Sequence, residues 1–391
     1  AGEVNLLGHR CPPVVIGAGP GADLATRPRP AHRSQRTAWC TDVVPDCPCA
    51  SLRRHAYTLT SRADVARGCA SPYGGGMTGV PRATPSSPSA DLPVDLRRIE
   101  LLCARLRPEE GFQLERITWA IGRGPRGEGW DNALWPIGLL DGQQLGLRVA
   151  RRESTRTLLG REVTVLRRLR GLGTALPMDM PTILATADDA VLVPWIEGST
   201  ADEVVPAVRH AVSLDLARML AAVHSGPAPE VGRNPVRGVP LAARAEAFAA
   251  DLDRADLSPA LREHAEDRWR AGLAAETWQG RELLLHGDPH PGNVVVPVPG
   301  TGGRASLIDW GDTTRGDPAS DLGGLLLHLP SEVLLTAYRE TAAWTGIDDD
   351  VVWQALIARA WAWGTKIALS LVTDYPPGHG LAAAGTRMLS S

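Results

Sequence analysis

Hydrophobic and polar positions follow two different rhythms along this chain. Between Ile117 and Val193, short apolar runs are separated by glycine-rich or charged turns, which predicts β-strands. One longer stretch there, Glu153 to Arg170, has apolar residues three and four positions apart and predicts an amphipathic helix. Beyond about residue 200 the three-to-four spacing dominates, so the second half is predicted to be mainly helical.

The elements can be placed individually from these rhythms. Strands are predicted at 117–121, 133–137, 145–150, 182–187 and 190–193, and helices at 153–170, 201–224, 322–329, 331–345 and 348–372, with one or two more between 241 and 280. The part of the chain from about Asp91 onward is long enough for two lobes around one cleft.

One segment in the second half breaks the helical rhythm. Residues 286–293 read His-Gly-Asp-Pro-His-Pro-Gly-Asn, and apolar runs at 283–285 and 294–296 predict a short buried strand on each side. The proline and glycine content excludes a helix between them. A third predicted strand, 305–308, leads into Asp309-Trp310-Gly311.

Three polar side chains are delivered to one edge by these strands: Asp288, Asn293 and Asp309. Phosphoryl transfer depends on positioning and on neutralising charge, with little covalent chemistry by the protein. Mg²⁺ prefers oxygen ligands and keeps several waters, so carboxylates and an amide suffice to hold it. The spacing therefore predicts a magnesium-dependent phosphoryl-transfer site.

This pattern resembles the catalytic loop of protein kinases, His-Arg-Asp-x-x-x-x-Asn followed by Asp-Phe-Gly. It is more similar to the aminoglycoside phosphotransferase family of small-molecule kinases, which shows His-Gly-Asp-x-x-x-x-Asn, Ile-Asp-Trp and Gly-Asp-Pro-x-x-Asp-Leu. Here residues 316–322 read Gly-Asp-Pro-Ala-Ser-Asp-Leu. The resemblance covers the chain from about Leu114 to the carboxyl end.

The resemblance implies a protein-kinase-like α+β fold with two lobes. The small, β-rich amino lobe would span residues 91–196 and bind nucleotide. The larger, mainly helical carboxyl lobe would span residues 197–391 and hold the catalytic loop and the substrate.

The resemblance also implies a role for each polar residue of the motif. Asp288 would be the base that orients the substrate hydroxyl, while Asn293 and Asp309 would hold magnesium. Asp317 and Asp321 would brace the catalytic loop. His290 lies two residues after the base, where it could donate to the transferred phosphate; a solvated loop histidine is the alternative.

Arg148 stands in a predicted strand where a kinase places its phosphate-anchoring lysine. The chain has no lysine there, because Lys366 is its single lysine. A guanidinium group can hold phosphate through two hydrogen bonds. Glu162, on the apolar face of the next helix, needs a partner because burying an unpaired carboxylate is costly. We expect Arg148 to be that partner; Arg161 is the alternative.

Two further segments are interpreted as nucleotide-binding. A glycine-rich hairpin at 122–132 includes Gly127 and Gly129, where backbone amides can approach phosphates closely; a plain surface loop is the alternative. Residues 191–198 look like the interlobe hinge of the family. That likeness implies that backbone groups near Val193 and Trp195 bind adenine or guanine, although Trp195 as a simple core residue is the alternative.

The first ninety residues differ in composition from the rest. They are rich in Pro, Arg, Gly and Ser, carry ten Arg against five Asp and Glu, and lack any sustained period. We interpret residues 1–90 as a disordered basic arm, and one hypothesis places the natural start at Met77. Residues 14–21 look like a flavin-binding turn, but Pro28 and Pro30 exclude the helix that this motif requires.

The functional hypothesis is a phosphotransferase that moves the terminal phosphate of ATP or GTP, with Mg²⁺, to a hydroxyl of a small molecule. The acceptor would be an aminoglycoside- or macrolide-like antibiotic, with a role in resistance, or a small metabolite alcohol. The charge balance of the chain after the first ninety residues, −8, is compatible with a cationic acceptor. The alternative is a catalytically weak, kinase-like nucleotide-binding regulatory protein.

The surroundings of the protein are also predicted. No apolar run reaches membrane-spanning length, and no charged-then-apolar signal segment opens the chain. We therefore expect a cytoplasmic protein whose partners are a nucleotide and a hydroxyl-bearing small molecule, with neither nucleic acid nor membrane among them.

Overall fold

A computed structural model describes residues 89–171, 176–226, 228 and 230–391. All of them lie within one compact unit, Met77–Ser391. The predictions for the basic arm, including the flavin-like turn and the start at Met77, fall on residues 1–88 almost entirely and so lie outside the described residues.

An antiparallel sheet is the main element of the amino lobe. Its strands are β1 (Arg107–Pro108), β2 (Ile117–Trp119), β3 (Gly127–Glu128), β4 (Asn132–Leu140), β5 (Gln143–Ala150), β6 (Ala185–Ala187) and β7 (Ala190–Pro194). Their order across the sheet is β1–β6–β7–β5–β4–β2, and β3 also pairs with β4. The central strand is therefore β5, which carries Arg148.

Side chains along β5 alternate between the two faces of the sheet, and this alternation decides which of them are buried in the hydrophobic core. Leu145, Leu147 and Val149 are fully buried and belong to the hydrophobic core of this lobe. Since successive side chains of a strand point to opposite faces, Arg148 projects from the other face. Two helices accompany the sheet, α1 (Leu96–Cys103) and α2 (Glu153–Gly171), and α2 contacts β5.

The carboxyl lobe combines two small sheets with seven helices in the described part of the chain. Its strands are β8 (Gly198–Thr200), β9 (Leu283–Leu285), β10 (Val294–Pro297), β11 (Ser306–Leu307) and β12 (Thr314–Gly316), arranged as β11–β10–β8 and β12–β9. Its helices are α3 (Pro206–Ser225), α4 (Ala245–Arg254), α5 (Pro259–Ala274), α6 (Ala319–Leu326), α7 (Glu332–Thr341), α8 (Asp350–Asp374) and α9 (Gly380–Leu389).

The predicted fold class, a two-lobed α+β protein with a β-rich amino lobe and a mainly helical carboxyl lobe, is confirmed. The exact residue boundaries of the lobes stay a prediction. Among the helices of the described residues, none is both long enough and apolar enough to cross a membrane.

Some predicted helix bounds were wrong. We expected α3 to start at residue 201, but it begins at Pro206, because Val205 is extended and a proline at the first helical position has no N–H to leave unsatisfied. The structure also has α1 and α9, which the periodicity did not predict.

Candidate active site

One buried carboxylate fixes the loop at 286–293 through hydrogen bonds to its backbone. Asp321, in the first turn of α6, accepts hydrogen bonds from the backbone N–H of His286 at 2.7 Å and of Gly287 at 2.9 Å. The Nε2 atom of His224 lies 3.1 Å from the same carboxylate. Burial opposes ionisation of Asp321, but the bonds from His224 and Gly287 lower its pKa. Asp321 therefore ties this loop to α3 and α6.

Gly287 and His286 let the loop approach the turn that follows β11. Gly287 has a φ of +95°, and a Cβ atom there would clash with the carbonyl oxygen of Asp312. His286 is fully buried, with its ring edge-on to Trp310 at a centroid distance of 4.7 Å. Burial lowers the pKa of His286, and its Nε2 donates to the carbonyl oxygen of Ile308 at 3.1 Å. A residue other than glycine at 287 would separate the two segments.

Asp288, the candidate base, is fixed from several sides while 19% of its side chain stays exposed. Its Oδ1 accepts a hydrogen bond from Nη2 of Arg237 at 2.8 Å, and its Oδ2 lies 3.5 Å from Nε2 of His290. The Nδ2 of Asn293 donates to the Asp288 carbonyl oxygen at 2.9 Å. Because Nδ1 of His290 accepts from the N–H of Gly292 at 3.0 Å, its Nε2 is the nitrogen that carries hydrogen towards Asp288.

Arg148 joins the sheet of one lobe to the motif of the other. Its Nη1 donates to Oε2 of Glu162 at 2.6 Å, and its Nη2 donates to Oδ1 of Asp309 at 2.6 Å. Glu162 is only 3% exposed, so the ion pair meets the need of a buried carboxylate, and the partner is Arg148 rather than Arg161. Desolvation opposes ionisation of Asp309, but the adjacent Arg148 lowers its pKa.

Asn293 and Asp309, the candidate metal ligands, lie at neighbouring strand ends. The N–H of Ile308 donates to the Asn293 carbonyl oxygen at 2.9 Å, which joins the start of β10 to the end of β11. Since Nδ2 of Asn293 is used by Asp288, the side-chain oxygen of Asn293 is the atom left for a cation. Asp309 adopts a left-handed backbone conformation with a φ of 65°, which is uncommon outside glycine and recurs at functional sites.

This pair fits a magnesium ion as part of a larger ligand set. The residues that the structure describes contain no group of three or more His, Cys, Asp or Glu placed to hold a metal ion. One carboxylate and one amide therefore need phosphate oxygens and water to complete the coordination. Mg²⁺ is the hard cation that prefers this arrangement.

The glycine-rich hairpin is anchored by Arg151, for which the sequence suggested a solvated side chain; that interpretation was wrong. The N–H of Gly129 donates to the Asn132 carbonyl oxygen at 2.9 Å, and Nη1 of Arg151 donates to the Gly129 carbonyl oxygen at 2.6 Å. Arg151 is only 7% exposed, so its guanidinium fixes the hairpin from inside. Gly127 borders open space, since a Cβ atom there would meet no atom within 4 Å.

The segment after β7 has the backbone pattern of an edge open to a ligand. The N–H of Trp195 donates to the Gln144 carbonyl oxygen at 2.7 Å, and Val193 lies opposite Gly146. Because hydrogen-bonded pairs alternate along an antiparallel ladder, Pro194 between them directs its carbonyl oxygen away from β5. The Trp195 ring is half-buried, 4.9 Å beneath the Arg126 guanidinium. Within the described residues, the carbonyl oxygen of Pro194 is thus an acceptor that β5 does not use, next to Val193 and Trp195.

Arg237 is the functional candidate that sequence reasoning missed. It lies in the segment Asn234–Gly238, which fastens to the motif through Asn234 Nδ2 donating to Asp312 Oδ1 at 2.9 Å and Gly238 N–H donating to Ser320 Oγ at 3.1 Å. Burial and the nearby charge of Asp288 raise the pKa of Asp312. The segment has no periodicity and no motif, so only its tertiary contacts reveal it.

A kinase-like fold with this loop, this ion pair and these polar residues at the strand ends is typical of phosphotransferases. The sequence profile of the phosphotransferase enzyme family matches residues 124–356. The chain therefore belongs to that family, and the predicted family resemblance is confirmed.

Solved structures give weaker similarities. A macrolide 2′-phosphotransferase type I is 21% identical and covers 76% of this chain and 98% of its own, with a TM-score of 0.46. The apoenzyme of macrolide 2′-phosphotransferase MphH from Brachybacterium faecium is 24% identical and covers 70% and 94%, with a TM-score of 0.44. The GDP complex of an aminoglycoside 2′-phosphotransferase-IIIa is 16% identical and covers 72% and 93%, with a TM-score of 0.46.

No protein with a curated description matches this chain.

Proposed function

We propose that this protein transfers the terminal phosphate of ATP or GTP to a hydroxyl group of a small molecule. The observation that carries the proposal is the convergence of three groups from separate segments. Asp288 accepts a hydrogen bond from Arg237, and the side chain of Asn293 donates to the Asp288 carbonyl oxygen. Asp309 accepts a hydrogen bond from Arg148. Membership of the phosphotransferase family supports the reaction class.

Asp288 is the proposed base that orients the attacking hydroxyl. One of its oxygens is occupied by Arg237 and the other lies at a longer distance, 3.5 Å, from His290. The second oxygen is therefore the one that a substrate hydroxyl would approach. Because phosphoryl transfer depends mainly on positioning, a carboxylate held in this way orients the hydroxyl without further chemistry.

Asn293 and Asp309 are the proposed magnesium ligands. Bound Mg²⁺ would bridge phosphate oxygens and neutralise the charge that develops on the transferred group. Arg148 would take the place of the usual lysine. While bonded to Glu162, it would present to the phosphates a positive charge that is not lost by titration. His290 would add a donor beside the transferred phosphate.

The nucleotide would lie between the glycine-rich hairpin and the segment after β7. Gly127 and Gly129 would cover the phosphates, since the hairpin is fixed by Arg151 and open on the Gly127 side. Backbone groups near Val193 and Trp195 would bind the purine, with the Pro194 carbonyl oxygen as acceptor.

The proposed acceptor is a small molecule with a reactive hydroxyl. The names of the similar structures mention macrolides and aminoglycosides, which keeps an antibiotic among the candidates together with small metabolite alcohols. A role in antibiotic resistance and a cytoplasmic location would follow from an antibiotic acceptor and a nucleotide donor.

A second candidate, a catalytically weak nucleotide-binding regulatory protein, is favoured by one contact. Arg148 donates directly to Asp309 at 2.6 Å, so a proposed metal ligand is already part of an ion pair. If that pair persists when nucleotide binds, the metal site would be weak and turnover slow.

Magnesium-dependent hydrolysis of ATP and GTP without an acceptor distinguishes these candidates. We expect the wild-type chain to release ADP or GDP slowly, and Asp288→Asn to lower the rate by roughly 10²- to 10⁴-fold, the usual contribution of a general base. Nucleotide binding should survive, because Asp288 makes no contact that the nucleotide base requires.

Asp215→Asn is the matched control, since Asp215 is half-exposed on α3 and pairs only with Arg218 in the described part of the chain. This control should keep the wild-type rate. Equal rates for wild type and Asp288→Asn would refute the catalytic proposal and favour the regulatory one.

A further inference from the structure

A chain of buried hydrogen bonds leads from Asp321 away from the loop at 286–293. The Nε2 atom of His224, on α3, lies 3.1 Å from Oδ2 of Asp321. The Nδ1 atom of the same ring lies 2.7 Å from the hydroxyl oxygen of Tyr338, on α7. Nε1 of Trp344, in the segment between α7 and α8, donates to that hydroxyl oxygen at 3.0 Å. Four side chains from separate elements thus form one line that ends at the backbone of the loop.

The members of this chain are closed off from solvent. Asp321, His224 and Tyr338 are fully buried, and Trp344 is only 2% exposed. In the described part of the protein, the Tyr338 hydroxyl has two hydrogen-bonding neighbours, His224 and Trp344. Because a buried polar group that loses its partner costs free energy, each bond of the chain constrains the next.

The direction of the chain is fixed by the indole at its far end. An indole N–H can only donate, so the Tyr338 oxygen accepts from Trp344 and its hydrogen is left for Nδ1 of His224. The hydrogen of the imidazole is then on Nε2, where it donates to Asp321. A doubly protonated ring would leave the Tyr338 hydrogen without an acceptor. Burial also raises the pKa of Tyr338, so the hydroxyl keeps its hydrogen.

Ring packing holds this part of the chain in place as well. The Tyr338 ring stacks on Trp353 at a centroid distance of 6.4 Å and meets the His224 ring edge-on at 5.5 Å. The N–H of Ala343, in the segment between α7 and α8, donates to Oγ of Ser225 at the end of α3 at 2.7 Å. Tyr338→Phe would therefore keep the ring contacts and remove only the hydroxyl.

The oxygen of Asp321 that His224 contacts also fixes the loop. Oδ2 accepts from the N–H of His286 at 2.7 Å as well as from the imidazole, while Oδ1 accepts from the N–H of Gly287 at 2.9 Å. Asp288 is the next residue, so its carboxylate is placed by the backbone that Asp321 holds. A His224 ring that turns, or takes up a second hydrogen, would change its bond to Oδ2 and with it the position of the loop.

We propose that Tyr338 is a positioning residue for the proposed base Asp288. Its hydroxyl, oriented by Trp344, keeps the His224 ring neutral and in one orientation, and His224 in turn fixes Asp321 and the loop. Tyr338 acts through these side chains rather than on the substrate. This inference rests on the proposed function and adds to it the distant residues that set the geometry of the base.

The state of the His224 ring can be measured without any activity. In the full chain labelled with ¹⁵N in histidine only, the signals of this ring are those lost in His224→Gln. We expect hydrogen on Nε2 and none on Nδ1 in wild type. In Tyr338→Phe the Nδ1 signal should move, because that nitrogen loses its donor. A hydrogen on Nδ1 in wild type, or an unchanged Nδ1 signal in Tyr338→Phe, would overturn the inference.

Magnesium-dependent hydrolysis of nucleotide without acceptor measures the effect on the base. Tyr338→Phe should lower kcat by roughly 10- to 100-fold, since a misplacement of about 1 Å can cost a hundredfold. The KM for nucleotide should stay within about twofold, because the chain ends at the loop that carries Asp288. His224→Gln, whose amide can still donate to Asp321, should keep more activity than His224→Leu.

Thr365→Val is the matched control for the loss of a buried hydroxyl. Thr365 is fully buried on α8, and its hydroxyl donates to the carbonyl oxygen of Trp361 at 2.9 Å. This control should keep the wild-type kcat even where its melting temperature falls. Binding of MgADP confirms that each variant is folded.

Equal kcat in wild type and Tyr338→Phe, equal losses in Tyr338→Phe and Thr365→Val, or a loss confined to KM would show that Tyr338 has no positioning role. Asp288→Asn separates this failure from that of the proposed function. If hydrolysis depends on Asp288 but not on Tyr338, only the positioning role is wrong. If hydrolysis does not depend on Asp288, the proposed function is wrong and the positioning role falls with it.

Discussion

Arg148 is the residue that connects most parts of the site. It lies on the central strand of the amino-lobe sheet, and its guanidinium bonds Glu162 on α2 and Asp309 after β11. Planar guanidinium geometry allows one side chain to hold two carboxylates in fixed directions, which a lysine ammonium does less precisely. The departure from lysine at this position is therefore compatible with the same ion pair.

Removing Arg148 should destabilise the fold as well as the site. Arg148→Ala leaves Glu162 buried without a partner, and loss of one member of a buried pair costs about 3–5 kcal/mol. Urea denaturation measures the change in the free energy of unfolding. Arg152→Ala is the control, because Arg152 and its partner Asp131 are both partly exposed, and its cost should stay below about 1 kcal/mol. Equal losses in the two variants would contradict the role of Arg148.

His328 predicts a pH dependence of stability. Its pKa is about 3 in the folded protein against 6.5 for an ordinary histidine, so the unfolded chain binds the proton more readily. The neutral ring therefore contributes stability that is complete above about pH 6.5 and is lost as the pH falls towards 3. Each pH unit in that window costs about 1.4 kcal/mol.

His328 donates from Nε2 to the carbonyl oxygen of Pro289 at 3.0 Å, and a glutamine amide can still make this bond, so the variant His328→Gln checks this source of acid sensitivity. Its free energy of unfolding should fall less steeply than that of wild type between pH 6 and pH 4.5, a range chosen to lie above most carboxyl titrations. Parallel curves for the two proteins would show that His328 does not titrate in this way.

At the scale of elements, the two segments that carry the site are in direct contact with each other. The loop between β9 and β10 and the turn after β11 meet where Gly287 faces Asp312, and Asp321 on α6 fixes the loop from the opposite side. The segment Asn234–Gly238 closes the arrangement and delivers Arg237 to Asp288. Short segments with few internal contacts are thus positioned by packing against each other.

Gly287→Ala should disturb this packing more than a glycine substitution elsewhere. Gly287 combines a positive φ with a close backbone neighbour, whereas Gly142 has a φ of +88° and a Cβ atom there would meet no atom within 4 Å. Gly142→Ala should cost about 1–2 kcal/mol from backbone strain alone. Gly287→Ala should cost more in thermal unfolding and also lower the hydrolysis rate, and equal effects in both variants would contradict the close packing.

At the scale of the whole molecule, the site is built from both lobes. A Cβ atom placed on Gly311 would lie 3.4 Å from Cβ of Leu158 on α2. At the same junction between the lobes, Arg148 donates a hydrogen bond to Asp309. Within the carboxyl lobe, Nε of Arg359 on α8 donates to Asp317 at 2.7 Å, which ties the start of α6 to the longest helix of the described chain. A ligand bound at Asp309 would therefore contact a junction between lobes.

Nucleotide with magnesium should consequently stabilise the whole fold. At a concentration about a hundred times its dissociation constant, a ligand that binds only the folded state adds about 2.7 kcal/mol. We expect MgADP or MgGDP to raise the melting temperature, and Asp309→Asn to remove most of the magnesium-dependent part. Asp267→Asn, an exposed carboxylate on α5, should leave the shift unchanged. A shift that is insensitive to magnesium in wild type would contradict the proposed ligands.

Much of this architecture follows from local pattern. The strand at 145–150, the helix from Glu153 and the strands around 286–293 were placed within a few residues, because alternation and three-to-four spacing reflect which side chains are buried. The pairing of Glu162 with Arg148 followed from the cost of a buried carboxylate. The burial of Arg151 had no such signal, and neither did α9.

The sequence by itself determined the fold class, the family motif and the identity of the residues proposed to act on phosphate, because these depend on spacing along the chain. Only the tertiary structure decided that Arg237 holds Asp288 and that Asp312 lies against Gly287. Electrostatic pairing is a property of distance in space, and these residues lie tens of positions or more from the groups they influence. The charge that a substrate meets is therefore set by folding.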